Sequence, residues 1–206
     1  METDQYDIII IGGGAAGASC ALVLGSAVAN EAVSEKRILV IDDGKSDILS
    51  GVYNNALGVP VGTTGPELWA NLQRQMAQYP NVDQLTDTAK EVKQLKKGGY
   101  RVKTRGGYKL ECTRLVLATG MKKWRLQIPG LEPEEHPRSP KPGRVWIPNQ
   151  QHKVGRGLYV AGLLAGWSTQ FSIAAGSGAQ VAADILGEWA GKNVAVHDKM
   201  ENGKAE

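Results

Sequence analysis

The sequence predicts an α/β fold with a central parallel sheet, helices on both sides of it and a small antiparallel β layer. Three observations carry this. The run at 6–11, apolar apart from Asp7, is the kind that a parallel strand buried on both faces requires. It feeds Gly12-Gly13-Gly14-Ala15-Ala16-Gly17 and a stretch of small and aliphatic residues that reads as a helix over 18–29, with Leu22, Val23 and Leu24 on its inner side. A second buried strand over 36–42, Lys-Arg-Ile-Leu-Val-Ile-Asp, ends in Asp42 and completes a βαβ unit, right-handed by the usual rule.

The remaining elements follow in order. Residues 43–60 form a Gly/Ser/Asn-rich loop without period. Thr64 and Glu67 are spaced as a capping box, with Pro66 at an early helical position where its missing N–H costs nothing. Leu68, Leu72 and Met76 give that helix its apolar stripe, and it stops before Pro80. Residues 100–104 and 108–112 alternate around Arg105-Gly106-Gly107, a hairpin signal. A separate apolar strand over 114–118 runs into Thr119-Gly120. Residues 132–154 hold five of the nine prolines and read as a linker or irregular crossover. A short strand at 158–161 enters Gly162. Ser168 or Thr169 is the expected cap of a last helix that reaches about residue 189 and closes at Gly191. The chain is thus one domain over 1–193 with a flexible tail over 194–206.

The glycine run is the chemically informative motif. Gly-x-Gly-x-x-Gly is weak alone, but here it follows a buried strand, opens a helix and meets an acid 25 positions past Gly17. Gly12 makes the tight turn, Gly14 admits backbone to a pyrophosphate, and Gly17 brings the helix close to the sheet. The helix N-terminus offers free N–H groups to phosphate oxygens. Asp42 can accept hydrogen bonds from ribose hydroxyls and disfavours a 2′-phosphate. This is a Rossmann-type dinucleotide site; the bland alternative is a glycine-rich turn without ligand.

Composition narrows the rest. A net charge of +3 on 206 residues, without a basic stripe, argues against a nucleic-acid partner. Two cysteines 92 residues apart make no disulfide framework, which fits a reducing cytoplasm. The uncharged run from Ile8 to Ala29 mimics a membrane span, yet acidic residues precede it and three glycines break it, so no membrane association is expected.

Six segments in order, the first strand at 6–11, Gly12–Gly17, Ile41-Asp42-Asp43-Gly44, Leu115–Gly120, Ile128-Pro129-Gly130-Leu131 and Gly157–Gly162, resemble the thioredoxin reductase family of FAD proteins, a likeness that runs from about Tyr6 to Ala190. The resemblance implies FAD as cofactor, with contacts from Gly12, Gly13, Gly14, Ala15, Ala16, Gly17, Asp42 and Asp43. It also implies Asn55 near the flavin, Ala89 at the adenine, Ala118-Thr119-Gly120 and Gly162-Leu163 along the cofactor, and Gln170-Phe171 opening a helix aimed at the flavin. Gly176 and Gly178 on that helix serve either cofactor contact or close packing. Two departures stand out. Family members place an NADPH-binding domain, with its C-x-x-C, where this chain has only the 23 residues 132–154. Leu163 stands where the family has an aspartate on the ribityl chain, so either a backbone amide or a nearby side chain such as Ser168 takes that role, or FAD binds less tightly.

The implied function is an FAD-dependent oxidoreductase whose electron donor and acceptor bind in trans, with a non-catalytic FAD module or redox sensor as the alternative. A NAD-binding domain would fit Gly12–Asp42 but leaves the C-terminal segment unexplained. A homodimer follows from the family's habit alone. No catalytic acid, base or nucleophile and no metal ligand set is expected: Cys20 and Cys112 read as core, and His136, His152 and His197 lie in linker or tail. Trp146 and Trp167 either cover the flavin or pack. Lys122, Lys123 and Arg125 read as a solvated loop.

Overall fold

The computed structural model describes residues 4–31 and 33–194, which leaves His197 and nearly all of the expected tail outside the described residues. In chain order the elements are strand β1 (Asp4–Ile11), helix α1 (Ala15–Ser26), β2 (Ile38–Asp42), β3 (Val52–Tyr53), β4 (Thr63–Thr64), α2 (Gly65–Met76), β5 (Val82–Thr86), β6 (Ala89–Gln94), β7 (Tyr100–Thr104), β8 (Lys109–Leu117), β9 (Glu134–Glu135), β10 (Val145–Trp146), β11 (Lys153–Gly155), β12 (Leu158–Val160) and α3 (Phe171–Ala190).

The main sheet runs β11-β12-β8-β1-β2-β5, with β7 and β6 extending from β8. Pairs β12–β8, β8–β1, β1–β2 and β2–β5 are parallel; β6–β7, β7–β8 and β11–β12 are antiparallel. The sequence expectation of a separate strand after the hairpin gives way to one continuous strand. Asp4–Ile11 pairs along β8 from Leu110 to Leu117, so the ladder carries the chain through the polar Thr113-Arg114 step.

Alternation along β1 sorts the core. Ile8 and Ile10 face α1, α2 and α3, while Ile9 and Ile11 face β6, β7 and the crossover. All three α-helices therefore pack on one face, where the sequence suggested helices on both. The connection from β5 to β8 is built of the strands β6 and β7, whose Val92 and Val102, with Leu110 at the start of β8, cover the second face. Burial of each isoleucine contributes about 1.5–3 kcal/mol. The capping box at α2 forms as expected: the Thr64 N–H donates to the Glu67 carboxylate at 2.8 Å. The last helix is capped instead by Gln170, whose Oε1 accepts the Ile173 N–H at 3.1 Å. Gly191, at φ +66°, closes it.

Candidate functional site

The C-terminal ends of β1, β2, β8 and β12 meet at one edge of the sheet, and a cleft of about 480 Å³ opens there. Clefts at this edge are where open α/β sheets place ligands. On one side stands the start of α1. Gly14 occupies its N-cap with no side-chain bond, and no acid lies in its first turn, so the leading N–H groups are unsatisfied and the dipole end faces the cleft. Gly12 has φ +106°, and a Cβ there would stand 2.4 Å from the Ala118 carbonyl oxygen. A Cβ on Gly17 would stand 1.7 Å from the Gly12 carbonyl oxygen. Both positions are closed by backbone. Gly14 differs, because its Cβ would meet only Ser46, at 3.0 Å from Oγ.

Asp42 secures two loops. Its Oδ2 accepts the Gly13 N–H at 2.5 Å and its Oδ1 accepts the Gly44 N–H at 2.8 Å. Each oxygen keeps further lone-pair capacity for a ligand hydroxyl.

Of the residues singled out in the sequence, Gly12, Gly14, Ala15, Ala16, Asp42, Asp43, Ala89, Ala118, Thr119, Gly120, Gly162, Leu163 and Phe171 line this one cleft. Gly13 and Gly17 support it from behind. Asn55 and Gln170 stand outside the lining and hold each other, Gln170 Nε2 donating to the Asn55 carbonyl at 3.2 Å. Gly178 belongs to packing, since a Cβ there would lie 1.9 Å from the Ala16 carbonyl oxygen; Gly176 faces open space.

The structure adds residues that sequence reasoning missed. Lys122, Lys123 and Arg125, read as a solvated loop, line the cleft together with Lys45, Ser46, Asp47, Asp87 and Thr88. Lys122 Nζ reaches across to Asp47 at 2.7 Å and to the Lys45 carbonyl at 3.1 Å, tying the loop after β8 to the loop after β2. Asp87 accepts N–H bonds from Thr88 and Gly106. Burial works to raise its pKa, but the Thr104 hydroxyl and these two N–H groups outweigh it and hold the carboxyl below its ordinary range. Only the basic cluster after Ala118-Thr119-Gly120 carried a sequence signal. Thr169 lines the cleft and Ser168 does not.

Other candidates resolve as structure. Cys20 and Cys112 are buried; burial pushes the Cys20 thiol up and the Cys112 thiol up to about 12, which leaves both poor nucleophiles. Neither Trp146 nor Trp167 lines the cleft: Trp146 packs against Gly166, and the Trp167 indole N–H donates to His152 Nε2 at 3.1 Å. His136 and His152, placed in a linker from sequence, are both buried. Burial pushes the His152 imidazole below the ordinary histidine range, against the opposing charge of Asp184. The unfolded chain takes up a proton near pH 6.5, where folded His152 does not. Its contribution to stability is therefore complete above that pH and is lost as the pH falls through it toward the lower folded value. Thermal melts between about pH 5 and 7.5 check this. His152→Asn is expected to flatten the acid side of the wild-type profile, and an unchanged profile would refute the assignment.

Among the described residues no helix is long and apolar enough to cross a membrane.

Fold and cleft together define an α/β protein of the Rossmann type. The chain belongs to the pyridine nucleotide-disulphide oxidoreductase family, whose sequence profile matches residues 6–145. Solved structures share the fold. A thioredoxin reductase from Gloeobacter violaceus superposes with TM-score 0.73 at 15% identity, covering 98% of this chain and 100% of that one. The oxidoreductase from Agrobacterium tumefaciens gives 0.70 at 16%, over 87% and 97%. A ferredoxin-flavin thioredoxin reductase from Clostridium acetobutylicum gives 0.65 at 16%, over 93% and 100%. No match to a curated protein sequence was found.

Proposed function

We propose that the cleft holds FAD and that the chain is a flavin oxidoreductase whose electron donor and acceptor bind in trans. The observation that carries the reading is continuity. One cleft runs from the uncapped start of α1, past the Asp42 carboxylate, to Ala89 and Ala118–Gly120 on one side and Gly162, Leu163 and Phe171 on the other. A dinucleotide cofactor needs those parts in that arrangement.

In this reading the N–H groups of Gly14, Ala15 and Ala16 at the start of α1 seat the pyrophosphate, Gly12, Gly13 and Gly17 shape the loop around it, and Asp42 holds the ribose. Asp43 flanks it, and backbone at Ala89 and Ala118–Gly120 meets the adenosine half. Gly162 and Leu163 border the flavin half. The Leu163 side chain offers no hydrogen bond, but its N–H sits at the start of a 3₁₀ turn, Gly162–Ala165, where the turn supplies no acceptor. That N–H is the donor available where relatives carry an aspartate. Gln170 and Phe171 place the start of α3 beside the cleft, with Tyr53 packed edge-on against Phe171 at 5.6 Å between centroids. Bound FAD would supply the redox chemistry, while the chain binds, orients and shields it. Both thiols are buried, so a dithiol relay within the described residues has no support. One fold neighbour is named a ferredoxin-flavin thioredoxin reductase, which favours a protein as electron donor. Residues 1–193 act in this proposal as one FAD-binding domain.

Absorbance and mass spectrometry of the purified protein test the cofactor. Release of a nicotinamide dinucleotide in place of FAD would defeat the reading. Bleaching by a protein donor separates an oxidoreductase from a passive FAD module. Asp42→Ala is expected to weaken FAD binding by about 1.5–3 kcal/mol, roughly 10- to 150-fold, through loss of a charged acceptor. Titration of the apo-protein measures it, and an unchanged Kd would place the ribose elsewhere.

A further inference from the structure

Residues 132–154 are stitched to the Gly162–Ala165 turn at four successive positions. His152 Nε2 lies 2.9 Å from the Ser177 hydroxyl, which accepts the Gly162 N–H at 2.8 Å. His136 Nε2 donates to the Leu163 carbonyl at 2.8 Å. The Ile147 N–H donates to the Leu164 carbonyl at 2.8 Å. Asn149 Nδ2 donates to the Ala165 carbonyl at 3.2 Å and to the Ile147 carbonyl at 2.8 Å. A segment that merely joined two strands would leave its polar groups to water at the surface. This one carries two imidazoles inward, each only 6% exposed, and gives each a hydrogen-bond partner there.

The ring of His136 is used at both nitrogens. Nδ1 accepts the Arg138 N–H at 3.1 Å while Nε2 donates to Leu163, which sets the tautomer and the ring plane. The effect falls on one peptide group. The peptide before it is pinned through the Gly162 N–H, and the peptide after it through the Leu163 carbonyl. The Leu163 N–H between them is aimed by its neighbours. Gly162, at φ +68° with a Cβ position 2.7 Å from the Ala16 Cβ, fixes the turn against α1.

We infer that residues 132–154 form a built-in brace that holds the Gly162–Ala165 wall of the cleft in one position, with His136 and His152 as positioning residues. The consequence for ligand binding rests on the FAD reading of the cleft; the brace itself does not.

Amide exchange of the apo-protein tests the brace without cofactor. His136→Leu keeps an apolar side chain of comparable bulk but removes the donor to Leu163, whereas His136→Gln restores an N–H donor. Exchange at Gly162–Gly166 is expected to rise about tenfold in His136→Leu, with β1 unchanged, and to return toward wild type in His136→Gln. FAD titration should follow the same order, with Kd raised about five- to tenfold in the leucine variant and recovered in the glutamine variant. Should His136→Leu fail to fold, Asn149→Ala is expected to raise exchange at the same turn. Unchanged exchange in the folded variants, or a glutamine variant no better than the leucine one, would overturn the inference. Wild-type apo-protein that takes up no FAD would overturn the cofactor reading instead, and the exchange result would still decide the brace.

Discussion

Purified Gly14→Val protein carries no flavin. The expectation comes from where the new side chain would go. Gly12 and Gly17 are enclosed by backbone, so substitutions there disturb the fold and report little about ligand. Gly14 has φ −72° and ψ −166°, an extended conformation that valine adopts readily, and its Cβ meets only the Ser46 side chain. The branched side chain then occupies the space in front of the α1 N-terminus. Losing a glycine N-cap costs the helix about 1 kcal/mol or less, so the melting temperature should move by only a few degrees. Two lost charge-assisted bonds to phosphate, at about 1.5–3 kcal/mol each, correspond to roughly a hundredfold to ten-thousandfold loss of FAD affinity. Circular dichroism, a thermal melt and a flavin scan on one preparation make the comparison. A folded Gly14→Val protein with stoichiometric FAD would remove the glycine loop from the cofactor site.

The second large effect concerns the source of electrons. NADPH or NADH alone is expected to reduce the flavin slowly and without saturation, and the correct protein donor to do so at least about a hundredfold faster. A nicotinamide nucleotide reaches a productive position only if the rest of the molecule is held, because positioning draws on binding energy from its non-reacting parts. The sequence contains one Gly-x-Gly-x-x-Gly loop, at Gly12–Gly17, and FAD occupies it in the proposed function. Residues 132–154, where two-domain relatives carry a nucleotide-binding domain, are spent on bracing the cleft. Anaerobic stopped-flow at the long-wavelength flavin band gives the answer. Fast, saturable reduction by NADPH alone would reveal a nicotinamide site in this chain.

Much of the fold could be read directly. The strand–loop–helix–strand run through Asp42 was legible because each glycine answers a local steric demand and the isoleucine run admits only a doubly buried strand. The capping box at Thr64 and Glu67 was legible for a similar reason, since both partners lie within four residues. What failed was non-local. β8 looked like two strands because Thr113 and Arg114 are polar, yet the Thr113 hydroxyl donates to the Asp7 carbonyl and the ladder with β1 continues past it. Ser168 and Thr169 outrank glutamine as helix caps, but the chain leaves the left-handed Gly166 on a path that brings Gln170 to the cap. His136 and His152 sit among prolines and charges, and their partners are hydrogen-bonding groups up to 27 residues away. No spacing rule reaches that far. Lys122, Lys123 and Arg125 carried a charge signal without direction, and only the sheet edge reveals that they face the cleft.

The interlocking of α1 with α3 sets a constraint on timing during synthesis. One wall of the cleft is complete once α1 exists, but Phe171 and Ala174 on α3 supply part of another, and Gly178 seats directly on the Ala16 backbone. A nascent chain still lacking α3 displays a phosphate loop whose helix has not been clamped and whose cleft is open on that side. N-terminal segments leave the ribosome first, at about 5–20 residues per second. In the proposed function, cofactor capture therefore waits until α3 has formed, and until then the growing chain is an unloaded intermediate in which Ile8 and Ile10 lack the part of their cover that α3 supplies.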